Sequence, residues 1–382
     1  MRWKVPLTDT TLGEEEALAA AEVVRGGWLT QGPRVEAFER AFAEFLGVPH
    51  AVAVCNCTLG LELAYELAGV GPGDEVLLPS LTFVATANAA RRRGAAPVFV
   101  DVTSEDDLTL DPEDVARKLT PRTRAVVAVH HSGEPCAMDA LARAAASGSG
   151  PAPALVEDCA HAPGARLGGR ACGGLGRVGA FSFFSNKNMT TGEGGMLTTH
   201  DGDLAARARA LRSHGMTTVT WDRHRGHAFT YDVVAPGTNA RMDEVRAAVG
   251  LVQLRRLPAA NAARARVVRT YLQALDARAS ALSGLRVPHR RSRGESAHHL
   301  FVVLLPPGTE RERVMLALRE RGVQTSVHYP PTHRFAAYGT GDVPRTDAIA
   351  PRLLTLPLGP AMTEDDVGLV VDALCAALAG AA

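Results

Sequence analysis

Lysine is almost absent from this chain. Of 41 basic residues only Lys4, Lys118 and Lys187 are lysine, and the rest are arginine. Net charge is missing too: 41 acidic residues balance the 41 basic ones, which argues against nucleic acid or an anionic membrane surface as the main partner. No run of about 18 apolar residues is present to span a bilayer. The six cysteines, Cys55, Cys57, Cys136, Cys159, Cys172 and Cys375, are scattered and form neither a disulfide framework nor a zinc spacing. The opening stretch MRWKVPLTDTTLGEEE has no apolar core region and no cleavage site, so a cytoplasmic location with reduced thiols is expected. No G-x-G-x-x-G follows a strand in the pattern below, which speaks against a nicotinamide dehydrogenase.

What is present is an ordinary globular composition, 46% hydrophobic and 21% charged, in 382 residues. That length exceeds a usual single core, so two domains are expected. The boundary is placed at 255/256, giving a larger domain over 1–255 and a smaller C-terminal one over 256–382. From residue 50 short apolar runs alternate with helical spacing. AVAVCN precedes TLGLELAYELAG, VLLP precedes TFVATANAARRRG, APVFVDV precedes DPEDVARKL, AVVAVHHSG precedes MDALARAAAS, and PALVEDCA follows. GAFSFF and GGMLTTH flank Lys187. This alternation predicts an α/β fold with a mostly parallel sheet covered by helices on both faces. The stretch 242–277 reads as a long helix that Pro258 kinks or divides. HHLFVVLLPP, TERERVMLALRERGV, QTSVHY and a terminal helix read as a smaller α+β unit.

Lys187 lies in AFSFFSNKNMTTGEGGML, amid glycines. A primary amine can lose its proton when desolvated and attack a carbonyl, which a guanidinium cannot do. Lys187 is therefore a candidate Schiff-base former, and pyridoxal phosphate is the cofactor that chemistry commonly uses. Such a cofactor needs an acid for its pyridine nitrogen. Asp158 in VEDCAHAPGA ends an apolar strand, where open α/β sheets place ligands. His161 follows within reach of the cofactor's phenolic oxygen. The turn from AVAVCN into a helix would aim the Thr58 and Leu59 amides at the phosphate. Ser182 adds a donor, and Phe83 a ring to cover the cofactor. Gly192, Gly194 and Gly195 give room for close backbone approach.

These motifs, together with WLTQGPRVEAFERAF, GTNARMDEVRAAVGLVQL, SVHYPPTHRFAAY and LTLPLGPAMTED, resemble the DegT/DnrJ/StrS family of pyridoxal-phosphate sugar aminotransferases along nearly the whole chain. The resemblance implies fold type I, with a seven-stranded sheet and a smaller C-terminal domain. It implies Lys187 as the Schiff-base lysine, Asp158 at the pyridine nitrogen, Phe83 on the ring, and Thr58, Leu59 and Ser182 at the phosphate. It further implies a homodimer in which Asn239 reaches the neighbour's phosphate. Trp28, Thr30, His328 and His333 match positions lining the acceptor site. The chain departs from the family in Cys55-Asn56-Cys57, where a small turn is usual, and in TWDRHRGHAFTYD (220–232). There Arg223, with His224, Arg225 and His227, reads either as a binder of diphosphate or carboxylate, or as a solvated loop. A His-x-x-His metal reading finds no acid nearby, and no metal is expected.

The implied activity is transfer of an amino group from glutamate or glutamine to a keto group of a nucleotide-linked deoxysugar. A keto-cyclitol acceptor is the second choice. A lyase or dehydratase on the same scaffold is disfavoured because members that dehydrate carry histidine at the Lys187 position. A cofactor-binding regulatory protein is the non-enzymatic alternative, though no DNA-binding segment is appended.

Overall fold

The protein is described from a computed structural model covering residues 3–9, 11–218, 226 and 230–380. Two helices, α1 (Glu14–Gly26) and α2 (Pro33–Leu46), lead into β1 (His50–Val54) and α3 (Cys57–Leu67). The alternation continues through β2 (Glu75–Pro79), α4 (Ala85–Arg92), β3 (Ala96–Val100), α5 (Pro112–Lys118), β4 (Thr123–Val129), α6 (Met138–Ala145) and β5 (Ala154–Asp158). A small hairpin, β6 (Arg166–Leu167) and β7 (Arg170–Ala171), precedes β8 (Val178–Ser182), β9 (Gly195–Thr199) and α7 (Gly202–Leu211).

One seven-stranded sheet runs in the order β1-β9-β8-β5-β4-β2-β3. Every neighbouring pair is parallel except the two made by β9, which runs against both β1 and β8. All seven strands coincide with the apolar runs of the sequence. The hairpin β6–β7 had no periodic signal, being two residues a side. Side chains alternate across the sheet as a period of two demands. Val52 and Val54 join Leu61, Leu78 and Val156 on one face, while Ala51 and Ala53 join Phe38, Phe42 and Phe181 on the other.

A buried ion pair ties the N-terminal helices to the sheet. Glu39 accepts from the Ala53 amide (3.0 Å) and from Arg212, whose guanidinium is 2% exposed and also donates to the Ala53 carbonyl (2.6 Å). This fixes the end of β1, and with it the turn into α3.

Helix α8 (Glu244–Ala277) runs through Pro258 without a break and spans the expected 255/256 boundary. Proline therefore neither divides the element nor ends it; its missing amide costs one ladder bond in a helix otherwise held by packing. Beyond it lie β10 (Phe301–Leu304), α9 (Arg311–Glu320), α10 (Pro344–Ile349), β11 (Leu353–Leu356) and α11 (Glu364–Ala379). β10 and β11 form an antiparallel pair. A separate core gathers Val303, Val314, Leu318, Leu354, Val370 and Leu374, with Tyr271 of α8 stacked on Phe301 at 4.4 Å. QTSVHY is not a strand; Ser326 makes only an isolated bridge to Thr355. Among the described residues, no helix is long and apolar enough to cross a membrane.

Candidate active site

Asp158 ends β5 at the carboxyl edge of the sheet, level with Val129 of β4 and Ala180 of β8. Its side chain accepts from Thr86 Oγ1 (2.9 Å) and from the Ala160 amide (3.1 Å). It is 6% exposed, and burial holds its carboxyl above the usual range despite those two bonds and the nearby Lys187 charge. Thr86 stands in the first turn of α4, so that helix orients the acid.

Lys187 sits on the loop between β8 and β9, and its neighbours bolt that loop down. Asn188 donates to the Asn261 side chain (2.9 Å) and the Ala297 carbonyl (2.7 Å), while its own oxygen faces His299 Nδ1 at 2.8 Å. Thr190 Oγ1 donates to the Phe183 carbonyl, and the Thr190 amide to Gln253 of α8. Lys187 itself is left facing the cavity. Burial pushes its ammonium down to about 8, against the opposing pull of Asp158 and Cys57.

Both groups line a cavity of about 1110 Å³, with Thr58, Leu59, Phe83, His161, Ser182 and His328 among its other walls. Phe83 is 55% exposed and tilted against Tyr329 at 5.7 Å between ring centroids, so it offers a free face to the cavity. At the turn into α3, the Leu59 amide is already donated to the Asn56 side chain (2.9 Å), which caps the helix. The Thr58 amide and hydroxyl and the Ser182 hydroxyl remain for an anion, with the helix dipole behind them. Gly195 permits this crowding: a Cβ there would lie 2.8 Å from the Asn56 carbonyl carbon and 2.9 Å from the Cys57 nitrogen.

His161 lines the cavity and is oriented by two neighbours. The Ser132 amide donates to its Nδ1 (3.3 Å), so its own proton sits on Nε2, 2.9 Å from the Tyr329 hydroxyl. Burial, with Lys187 and the surrounding histidines, keeps it well below its ordinary pKa and hence neutral. Tyr329 Oη thus accepts from His161 and keeps its own proton for an acceptor in the cavity. Burial raises the phenol's pKa further, so that proton stays in place at neutral pH.

The remaining expected residues fall outside this wall. His333 is pinned between Ser80 (2.6 Å) and Asp347 (3.3 Å) and does not line the cavity. Trp28, half-buried, donates to the Gln31 carbonyl at 3.2 Å, and Thr30 is exposed; neither lines it. Asn239 is exposed and bridges to Ser213, while the adjacent Ala240 carbonyl accepts from the Cys55 amide at 2.8 Å. Arg223, with His224, Arg225 and His227, lies outside the described residues.

The residue beside Asp158 points the other way across the sheet. Glu157 is fully buried and accepts from His130 (3.0 Å) and from the amides of Gly173, Leu175 and Gly176 (2.6–2.8 Å). Burial pushes its carboxyl up, but these four donors outweigh it and hold the group below the usual range. They also fill the lone pairs a metal would need at the neighbouring Cys172.

A buried acid with no ion pair among the described residues, an amine whose pKa is lowered to about 8, an exposed ring and a helix N-terminus together fit pyridoxal phosphate. Comparison with known proteins agrees. The model of the DegT/DnrJ/EryC1/StrS aminotransferase family matches residues 10–375. The chain belongs to that family. It is 39% identical over 381 residues to the spore coat polysaccharide biosynthesis protein SpsC of Bacillus subtilis, covering 97% of this chain and 96% of that one. The solved aminotransferase TlmJ from Streptoalloteichus hindustanus is 41% identical, with a TM-score of 0.89 over 99% of both chains. DesI, solved in the presence of its TDP-sugar product, is 35% identical, with a TM-score of 0.87 over 99% of this chain and 94% of its own. Family members have been solved in a pyridoxal-phosphate form. This family member is thus a fold type I, pyridoxal-phosphate-dependent aminotransferase.

Proposed function

We propose that the enzyme transfers an amino group from glutamate or glutamine to a keto group on a nucleotide-linked deoxysugar, in amino-sugar or natural-product biosynthesis. The observation that carries this reading is the size of the cavity above Lys187. At about 1110 Å³ it exceeds the usual range of small-ligand pockets, about 300–1,000 Å³, so it has room for more than an amino acid and the cofactor. The TDP-sugar product of the 35%-identical DesI supports the same class.

The cofactor, when bound, supplies the electron sink that lets a bond to the amino carbon ionise. The protein's part follows from its residues. Asp158 holds a proton or a cation at the floor of the cavity. Thr58 and Ser182 would donate to the phosphate, and Phe83 would cover one ring face. Lys187 would hold the cofactor through Nζ, and as a free amine of pKa about 8 it would be suited to moving a proton at the neighbouring carbon. His328 lines the acceptor side, neutral because burial lowers it to about 4. The working unit in this reading is a homodimer, with Asn239, exposed and outside its own chain's cavity, serving the neighbour's phosphate site. Residues 1–255 hold the cofactor and 256–382 form the smaller domain. A cytoplasmic setting suits such an enzyme.

The test is incubation of the purified protein with glutamate and a panel of keto-sugar nucleotides and keto-cyclitols, with mass spectrometry of the products. Amination of a keto-cyclitol with none of any sugar nucleotide would overturn the acceptor assignment. Consumption of glutamate with amination of no ketone in the panel would overturn both acceptor classes.

A further inference from the structure

Helix α4 ends in Arg91 and Arg92, and a third arginine, Arg93, caps it. The helix dipole favours cations in a last turn, which accounts for their presence but not for how they differ. Arg92 pairs with Glu62 at 2.7 Å and Arg93 with Glu66 at 3.0 Å, both acids on the adjacent α3. Arg91 is exposed and has no acidic partner among the described residues. It also lines the cavity that holds Lys187 and Asp158. Among the described lining residues the cations are Lys187, Arg91 and Arg92, and only Arg91 is both free of an acid and away from the cofactor site.

We infer that Arg91 binds the diphosphate of the acceptor and so sets the register of its sugar over Lys187. The inference rests on the acceptor class proposed above. Its geometric basis is α4 itself. The first turn of this helix bonds Asp158 through Thr86, at the floor of the cavity. Arg91 comes five residues later, about 7.5 Å further along the helix axis at 1.5 Å per residue. One end of α4 therefore addresses the reacting centre and the other the rim. A sugar nucleotide has the same layout, with its keto carbon one pyranose ring away from the first phosphate. Asn88, three residues before Arg91 and on the same face, also lines the cavity, where Tyr338 donates to its side-chain oxygen. The Asn88 amide hydrogens and the Arg91 fork thus form a donor pair on the rim. A planar guanidinium suits a diphosphate because it bonds two oxygens at once.

The experiment titrates the holoenzyme with uridine and thymidine diphosphates by calorimetry, comparing wild type with Arg91→Gln, Arg91→Lys and Arg93→Gln. Cofactor absorbance and thermal midpoint check that each variant is folded. At least one diphosphate should bind wild type, and Arg91→Gln should weaken it about tenfold or more, the range for losing a hydrogen bond to a charged group. Arg91→Lys should recover part of that loss, and Arg93→Gln should match wild type. The glutamate half-reaction, followed by the cofactor's spectrum, should be unchanged in Arg91→Gln, since an amino acid does not reach the rim. Diphosphate binding to Arg91→Gln within twofold of wild type overturns the inference and leaves the acceptor class standing. Equal damage to the glutamate half-reaction overturns it as well. If neither diphosphate binds wild type, the acceptor class falls and the inference falls with it.

Discussion

A chain with three lysines allows the key amine to be titrated against the others in one experiment. Burial lowers Lys187 from an ordinary 10.5 to about 8, while Asp158 and Cys57 pull the other way. Below both values the fraction of neutral amine rises tenfold per pH unit, so lowering the pKa from 10.5 to about 8 leaves about 300-fold more free amine at pH 7 than an ordinary lysine has. The apoenzyme should be labelled with a trace of a neutral acylating reagent between pH 6 and 10, and the three lysine peptides quantified. The uptake at Lys187 should rise through a midpoint near 8 and then level. Lys118, whose ammonium donates to Asp114, the Phe99 carbonyl and the Asp342 carbonyl, should be labelled slowly throughout.

The sign of the second perturbation is set by the same balance. Asp158 raises the Lys187 pKa, so Asp158→Asn should move the midpoint down, below 8. A midpoint near 10.5 in the wild type would refute the claim that desolvation controls this amine. An upward shift in Asp158→Asn would refute the electrostatic link between the two residues. Neither result depends on the cofactor, so the test isolates what the protein does to its own lysine.

Asp158→Asn should also fold and load cofactor yet lose about 10²–10³-fold in kcat, as removal of one well-placed electrostatic partner does; turnover within tenfold of wild type would sink the role given to this acid. Tyr329→Phe removes the one hydroxyl that His161 orients into the cavity, and should cost about 1.5–3 kcal/mol in kcat/KM with little change in thermal midpoint; unchanged kinetics would make the His161–Tyr329 bond purely structural. Arg212→Ala strands the buried Glu39 carboxylate and should lower unfolding free energy by about 3–5 kcal/mol in urea titration, a loss below 1 kcal/mol being inconsistent with the pair described.

The sheet was legible because each strand is a short apolar run bounded by a helix of regular spacing, and that is a local signal. Lys187 and Asp158 were legible for a different reason. One was conspicuous by residue scarcity, and the other by its place at a strand end. QTSVHY misled because its β-branched and aromatic content fits a strand, yet His328 and Tyr329 are held by His131, Thr355 and His161 instead of by a ladder. What the reading of the Leu59 amide left out is that the preceding Asn56 is itself a strong helix cap, whose side-chain oxygen accepts that amide.

What the sequence could not show is any pairing across long separations, and the site depends on several. Tyr329 meets His161 across 168 residues, and Asn188 meets His299 across 111. Each partner is unremarkable alone: a tyrosine in a loop, an asparagine beside a lysine. Their chemistry appears only when backbone donors are assigned. The Ser132 amide fixes which nitrogen of His161 carries the proton, and from that follows the direction of the Tyr329 hydroxyl. Ser132 lies in HHSG, immediately after β4, and Asp158 ends the neighbouring β5. The same sheet edge therefore delivers the acid directly and the oriented hydroxyl through two intermediaries. That division explains why the acid could be found from its strand while the hydroxyl required the fold.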